Sequence, residues 1–278
     1  MSGAYSRFPL RNGKDGSYRA ADVPLALLNN LARNTAIPIT ITTAGVVTVA
    51  ASATEPVPLW NGNDFILLRE SLAYTWADAA TNKILTTATG AETTGSPTAA
   101  VYYYYVGLST AGVLEIYASV DAPSFIQRRY EGPILGHPGT ATTRFWNYVG
   151  WSAVNTTAGL HLAASKHGFW YDIANASIAA VTTSAWGIAN FAARIPGHAV
   201  EVAGTLVTSE LSQTVFVGSS TVGSTVGALE FKSGSLAAIA VEAPFCGVVP
   251  TTTGGIYCYQ TPTSGAAFIR ITRVRDLV

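Results

Sequence analysis

Charge is what this chain has least of. Asp, Glu, Lys and Arg make up 12% of its 278 residues, and 16 basic residues offset 16 acidic ones. Soluble domains carry roughly 25%. A nucleic-acid binder needs a basic footprint, so this balance excludes that class of partner. Cysteine is nearly absent, with only Cys246 and Cys258, and no CxxC pair supports structural zinc. The two cysteines flank Thr252 in FCGVVPTTTGGIYCY, which reads as a hairpin. They could bond across it or stay two separate buried thiols. The second is favoured, because free cysteine is commonly buried. Histidine occurs four times, at 137, 161, 167 and 198, and no G-x-S-x-G elbow surrounds any serine. No catalytic triad is therefore nominated. The H-x5-H spacing of His161 and His167 places them on opposite faces of a strand, unlike HExxH, and no D-x-D-x-D-G loop is present. We expect no catalytic residue, no metal and no cofactor. Mean hydropathy is +0.29. Even so, no apolar run reaches the ~20 residues of a membrane-spanning helix, and the first residues, MSGAYSRFPLRNGKDG, lack an apolar leader core. The expectation is a chain with neither membrane partner nor secretory signal.

What is abundant is apolar and neutral-polar. Hydrophobic residues are 49% of the chain. So few charges leave two ways to remain in solution. The surface can be covered by Thr, Ser, Asn and Gly, or it can be buried against other copies, since obligate interfaces resemble a core cut in half. A neutral chain also lacks the self-repulsion that keeps monomers apart. Both are expected here.

The length suits one large or two ordinary domains, and three regions are expected. Residues 1–35 form an extended N-terminal arm with Arg7, Arg11, Lys14, Arg19 and Arg33 against Asp15 and Asp22. Asp22 can cap one short helix with Pro24 in its first turn, and Leu27, Leu28 and Leu31 share its apolar face. Such a helix cannot bury its stripe alone. It either anchors the chain to a partner or caps the first domain. Residues 36–160 read as an aromatic-rich β-domain, with short strands around Ala44-Gly45 and Asn61-Gly62. Residues 161–278 carry six strand-length segments from AVEVAGTLVT to AAFIRITRVRDL, separated by Gly, Ser, Pro or Thr turns. That is the profile of a β-sandwich or jelly roll. The fold class expected is mainly β, two sandwich or jelly-roll-like domains behind the arm. In the last strand, strict alternation puts Arg273 and Arg275 with Ile269 and Ile271, and Arg270 with Phe268, Thr272 and Val274.

The stretch from Ala100 to Pro123, AVYYYYVGLSTAGVLEIYASVDAP, reads as a hairpin about Ser109-Thr110-Ala111-Gly112, with Gly112 at positive φ. A four-residue loop pairs Leu108 with Val113 and Tyr104 with Tyr117. It leaves Tyr102, Tyr104 and Tyr117 on one face. With Trp146 and Trp151, these rings can form a subunit interface or stack on sugars; the alternative is a hairpin packed under the chain's own loops. Glu115, Asp121, Glu131 and Asp172 lie near aromatic segments, so glycan binding is a second function class and glycan cleavage a more remote third.

VYYYYVGL, VLEIYASVDAPSF and YEGPILGHPGTATTRFWNYVGW resemble hairpin modules in structural proteins of tailed bacteriophages, especially fibre, spike and head-appendage subunits. The Thr/Gly-rich style of residues 200–278 is similar to their terminal jelly-roll-like domains. The resemblance implies a trimeric, non-enzymatic virion component, assembled in the host cytoplasm and attached to capsid or tail proteins by its arm. Its outer surface would meet a host receptor or glycan. No heptad or β-helix shaft is present, which favours a short spike or decoration protein over a long fibre.

Overall fold

The structure is a computed structural model. It describes residues 5–7, 37–60, 65–76, 83–85, 92–98, 100–109, 111–128, 132–137, 146–155, 160–161, 164–167, 170–181, 187–191, 195–196, 201–208, 214–218, 229–232, 241–250, 255–261 and 267–275. The regular structure of these residues is all strand, so the chain is mainly β. No helix among them is long and apolar enough to cross a membrane. The expected helix after Asp22, and with it Arg11, Lys14, Arg19, Leu27, Leu28 and Leu31, lies outside the described residues, as does the Asn61-Gly62 turn. Two compact units divide the chain: 1–161 with 165–168 and 278, and 162–164 with 169–277.

Unit 1 begins with β1 (Tyr5–Arg7), β2 (Ile39–Ile41), β3 (Val46–Val49), β4 (Val57–Trp60), β5 (Phe65–Leu68), β6 (Leu72–Thr75) and β7 (Ile84–Leu85). It continues with β8 (Glu92–Thr93), β9 (Ala100–Leu108), β10 (Leu114–Ser119), β11 (Ser124–Arg128), β12 (Gly132–Gly136), β13 (Trp146–Asn155) and β14 (Leu160–His161). β15 (Ala164–His167) follows. Alternation of Ile37, Ile39 and Ile41 is what makes β2: all three are buried, opposite Val49 and Val47 of β3, and Gly45 turns the chain at φ 77°. β3 then pairs with β6. The largest sheet of the unit runs β11-β12-β13-β9-β10-β7-β8. β6 lies against β10, and β2 and β4 against β13.

The arm behaves differently from an extended anchor at its start. Tyr5–Arg7 pairs antiparallel with β5 of the same chain, Arg7 opposite Ile66, on the edge that β4 leaves open. An open strand edge has backbone donors and acceptors to satisfy, and a nearby extended segment does so.

The central hairpin forms, but one residue out of the expected register. Leu108 faces Leu114, not Val113, and Tyr104 faces Ala118, not Tyr117. The loop is the cause. Gly112 sits at φ 74°, its N–H donates to the Ser109 carbonyl at 2.9 Å, and the Ser109 N–H donates to the Val113 carbonyl at 2.7 Å. A type I turn closed by a left-handed residue absorbs one more residue as a bulge. With a period of two, a one-residue shift moves the partner strand's residues to the other face. Tyr102 and Tyr104 are thereby separated from Tyr117.

Unit 2 holds β16 (Trp170–Val181), β17 (Gly187–Asn190), β18 (Glu201–Thr208), β19 (Thr214–Gly218), β20 (Leu229–Lys232), β21 (Val241–Val248), β22 (Gly255–Thr261) and β23 (Ala267–Arg275). Each of the six strand-length segments expected in this region contains a strand. They lie in two sheets, with β21-β18-β23-β16 neighbours in one and β17-β22-β19-β20 in the other. The supposed hairpin containing both cysteines is divided between them: β21 pairs with β18, and β22 with β17 and β19. Neither cysteine is in a disulfide; Cys258 is buried and Cys246 exposed. Burial pushes the Cys258 thiol up, with the Ala189 backbone partly opposing it.

Candidate functional site

The end of β10 is also where its last polar side chains are buried. Ser119 closes the strand, Asp121 stands in the turn beyond it, and His137 follows β12. The Ser119 hydroxyl and the His137 ring are 0% exposed, while the Asp121 side chain keeps 19%. Ser119 Oγ lies 2.9 Å from His137 Nε2, and Asp121 Oδ2 lies 3.4 Å from the same nitrogen. Ser119 also donates to the Leu85 carbonyl at 3.2 Å and accepts from the Asp121 N–H at 3.1 Å. Tyr105 closes the cluster. Its hydroxyl donates to the Asp121 carbonyl at 2.7 Å, and its ring meets the imidazole edge-on at 5.1 Å.

Serine, histidine and aspartate together resemble a hydrolytic triad in composition, but not in geometry. A triad uses the two imidazole nitrogens separately, one toward serine and one toward the carboxylate. Here Nε2 faces both. A carboxylate oxygen so close favours the tautomer with the proton on Nε2, which then donates to Ser119 Oγ. The serine hydroxyl has the Leu85 carbonyl at 3.2 Å and Asp121 Oδ2 at 3.4 Å as acceptors. In this arrangement the nitrogen facing the serine has no lone pair with which to act as base, and the hydroxyl has no exposed side. The cluster ties β7, β9, β10 and the end of β12 together. Burial lowers the His137 pKa, and Asp121 opposes that only in part.

The rings expected to form an interface or sugar platform are core. Tyr102, Tyr104, Tyr117, Trp146 and Trp151 are between 0% and 4% exposed. Tyr104 receives the Trp76 indole N–H at 3.0 Å and bonds Ser152 Oγ at 2.6 Å. Burial pushes its hydroxyl up to about 12, with those hydrogen bonds opposing. Tyr102 bonds Thr98. On the opposite face, Tyr117 lies 4.2 Å from Trp146 between ring centroids, and its hydroxyl donates to Glu115 at 2.9 Å. A platform needs exposed rings. These rings lie on both faces of the sheet and are buried on each.

In unit 2 the alternation of β23 breaks at a bulge. Ala203 faces Arg273 and Gly204 faces Ile271, so Thr272 has no opposite residue on β18. Beyond it the faces exchange: Ile269, Ile271 and Val274 are buried and Arg273 is exposed. Arg273 and Arg275 therefore leave the isoleucine face that strict alternation assigns them. Each arginine of the strand has an acidic partner: Arg270 with Glu242 at 3.3 Å, Arg273 with Asp172 at 2.6 Å, and Arg275 with Glu201 at 3.3 Å. The Arg273 guanidinium also lies 5.2 Å from the Trp170 ring centre. All six charges are partly solvated, so each pair is worth about 1 kcal/mol at most. Three matched pairs hold register across four strands and leave no net charge among themselves.

Of the other carboxylates considered for sugar chemistry, Asp172 is engaged with Arg273, Glu115 with Tyr117 and Asp121 with the His137 cluster. Glu131 lies outside the described residues. His161 and His167 end β14 and β15, and no three His, Cys, Asp or Glu side chains among the described residues gather as a metal site. Sequence reasoning missed Ser119 and His137, which stand 18 residues apart and meet through sheet pairing alone. No protein-family model, curated protein or solved structure matches the chain.

Proposed function

We propose that this chain is a non-enzymatic structural subunit of a bacteriophage virion. It would be a trimeric short fibre, spike or capsid-decoration protein, joined to capsid or tail proteins through residues 1–35. The observation that carries this reading is a charge share of only 12% in a chain whose sheets, among the described residues, end in edge strands. Open edges and charge-poor faces are what assembly uses and what solitary proteins avoid. The finer organisation belongs to the same reading: residues 36–160 and 161–278 as sandwich or jelly-roll-like domains, and a helix bearing Leu27, Leu28 and Leu31 in an apolar groove of the partner. Two further features support it. The Ser119–His137–Asp121 cluster is sealed and wrongly disposed for nucleophilic catalysis, and the rings nominated for sugar stacking are buried.

Deleting residues 1–35 would also remove β1 from its place on β5, so charge reversal is the cleaner test of the arm. Changing Arg11, Lys14 and Arg19 together to Glu is expected to leave thermal stability unchanged. Incorporation into particles is expected to fall by tenfold or more, because three charge reversals change six unit charges at a screened contact. Normal incorporation of the triple variant would overturn the attachment role.

A further inference from the structure

The β11–β12 hairpin, Ser124–Gly136, is well paired within itself, Phe125 opposite Leu135 and Ile126 opposite Ile134. Among the described residues its backbone pairing to the rest of unit 1 is much narrower. Among the described residues, β12 meets β13 at one register pair, Gly136 with Asn147. The next residue along is His137, whose backbone N–H donates to the Trp146 carbonyl at 3.3 Å. Its ring reaches the other way, into the end of β10. The imidazole thus stands at the root of the hairpin and joins it to Ser119, Asp121 and Tyr105.

We propose that His137 is an acid-operated latch: neutral, it holds the β11–β12 hairpin to the sheet, and protonated, it releases it. The argument is one of burial and partners. The ring is 0% exposed, so an imidazolium formed in place would lose its hydration. The groups facing the ring include Asp121 from the turn after β10, Ser119 from β10 and Tyr105 from β9; β7 supplies the Leu85 carbonyl that fixes Ser119. One partly solvated carboxylate at 3.4 Å offsets only part of that cost. Opening the hairpin returns the ring to water, where its pKa is about 6.5. Below that value the open form takes up a proton that the closed form resists. The closing free energy is whole above pH ~6.5 and is lost progressively as pH falls toward the lower folded-state value. Each pH unit in that window changes the open fraction by about tenfold. A hairpin that ends the sheet is also the one that can lift without breaking pairs on both sides. This device stands apart from the virion reading and holds or fails independently of it.

Hydrogen exchange on the full chain at pH 7.5 and 5.5, corrected for intrinsic rates, tests it. Amides of 124–128 and 132–136 are expected to open more at pH 5.5, by up to about tenfold, while those of 100–108 keep their protection. An unchanged hairpin, or equal loss in both segments, would overturn the latch. The His137→Gln variant keeps a donor toward Ser119 but cannot titrate, and its hairpin should show no pH response; a persisting tenfold response overturns the assignment to His137. If that variant fails to fold, the wild-type imidazole titration followed by NMR decides. A His137 pKa at or above 6.5 contradicts the proposal, and one below it supports it.

Discussion

Replacing Gly204 with alanine is expected to cost unit 2 about 3 kcal/mol or more and to lower its melting temperature by roughly 10 °C. Gly204 lies where β18 is pinched between two bulges. On one side Thr272 of β23 is unopposed. On the other, Val202 faces Val248 and Gly204 faces Phe245, so β21 fits Cys246 and Gly247 beside Ala203, with Gly247 at φ 77°. The backbones close in so far that a Cβ at 204 would fall onto the Arg270 carbonyl, with the Ile271 Cα 3.1 Å away. Both obstacles are backbone atoms of a paired central strand, and no side-chain rotamer can relieve them. The variant must push β23 outward or lose the bulge, and losing it would return Arg273 and Arg275 toward the buried face. Calorimetry on the purified variant checks this. A melting temperature within 2 °C of the parent would mean that the strands are not so close.

Trp146→Ala is expected to destabilise unit 1 by about 4 kcal/mol, the usual cost of emptying a buried aromatic site. Trp146 is 1% exposed, stacks obliquely on Tyr117, and its carbonyl receives the His137 N–H. The substitution leaves that backbone bond formally intact but removes the ring against which Tyr117 packs. The same experiment separates two views of these aromatics. If Trp146 were a sugar-stacking platform on the surface, truncating it would leave the urea midpoint where it was and change only ligand affinity. As core, it should shift the midpoint markedly with no ligand present.

The legible parts of this fold are those governed by local alternation. Ile37, Ile39 and Ile41 declare a half-buried strand, and the six segments after residue 200 do the same because Gly, Ser, Pro and Thr punctuate them. What escapes is every feature set by a single extra residue. The bulge after Ala111 moves the central hairpin by one, and the bulge at Thr272 transfers Arg273 and Arg275 to the other face; Gly112 at φ 74° marks the turn but not how many residues it absorbs, and Thr272 is an ordinary strand residue. Strand partners at long range escape for another reason. VEAPFCGV and GIYCYQT read as a hairpin because they are close in sequence, yet β21 and β22 choose different neighbours. The aromatic run is legible as a strand, but its sequence leaves interface and core as equal alternatives, because covered-on-both-faces and exposed-on-one differ only in what lies above the sheet. The His137 cluster depends on that same long-range pairing.

The account rests most heavily on self-association, and light scattering on the purified full chain measures it directly. A chain of 29.0 kDa should elute with close to three times that mass and hold it on dilution through the micromolar range. A stable species at the mass of one chain, well folded and soluble at high concentration, would contradict the reading of its charge-poor, open-edged sheets as surfaces made for neighbours.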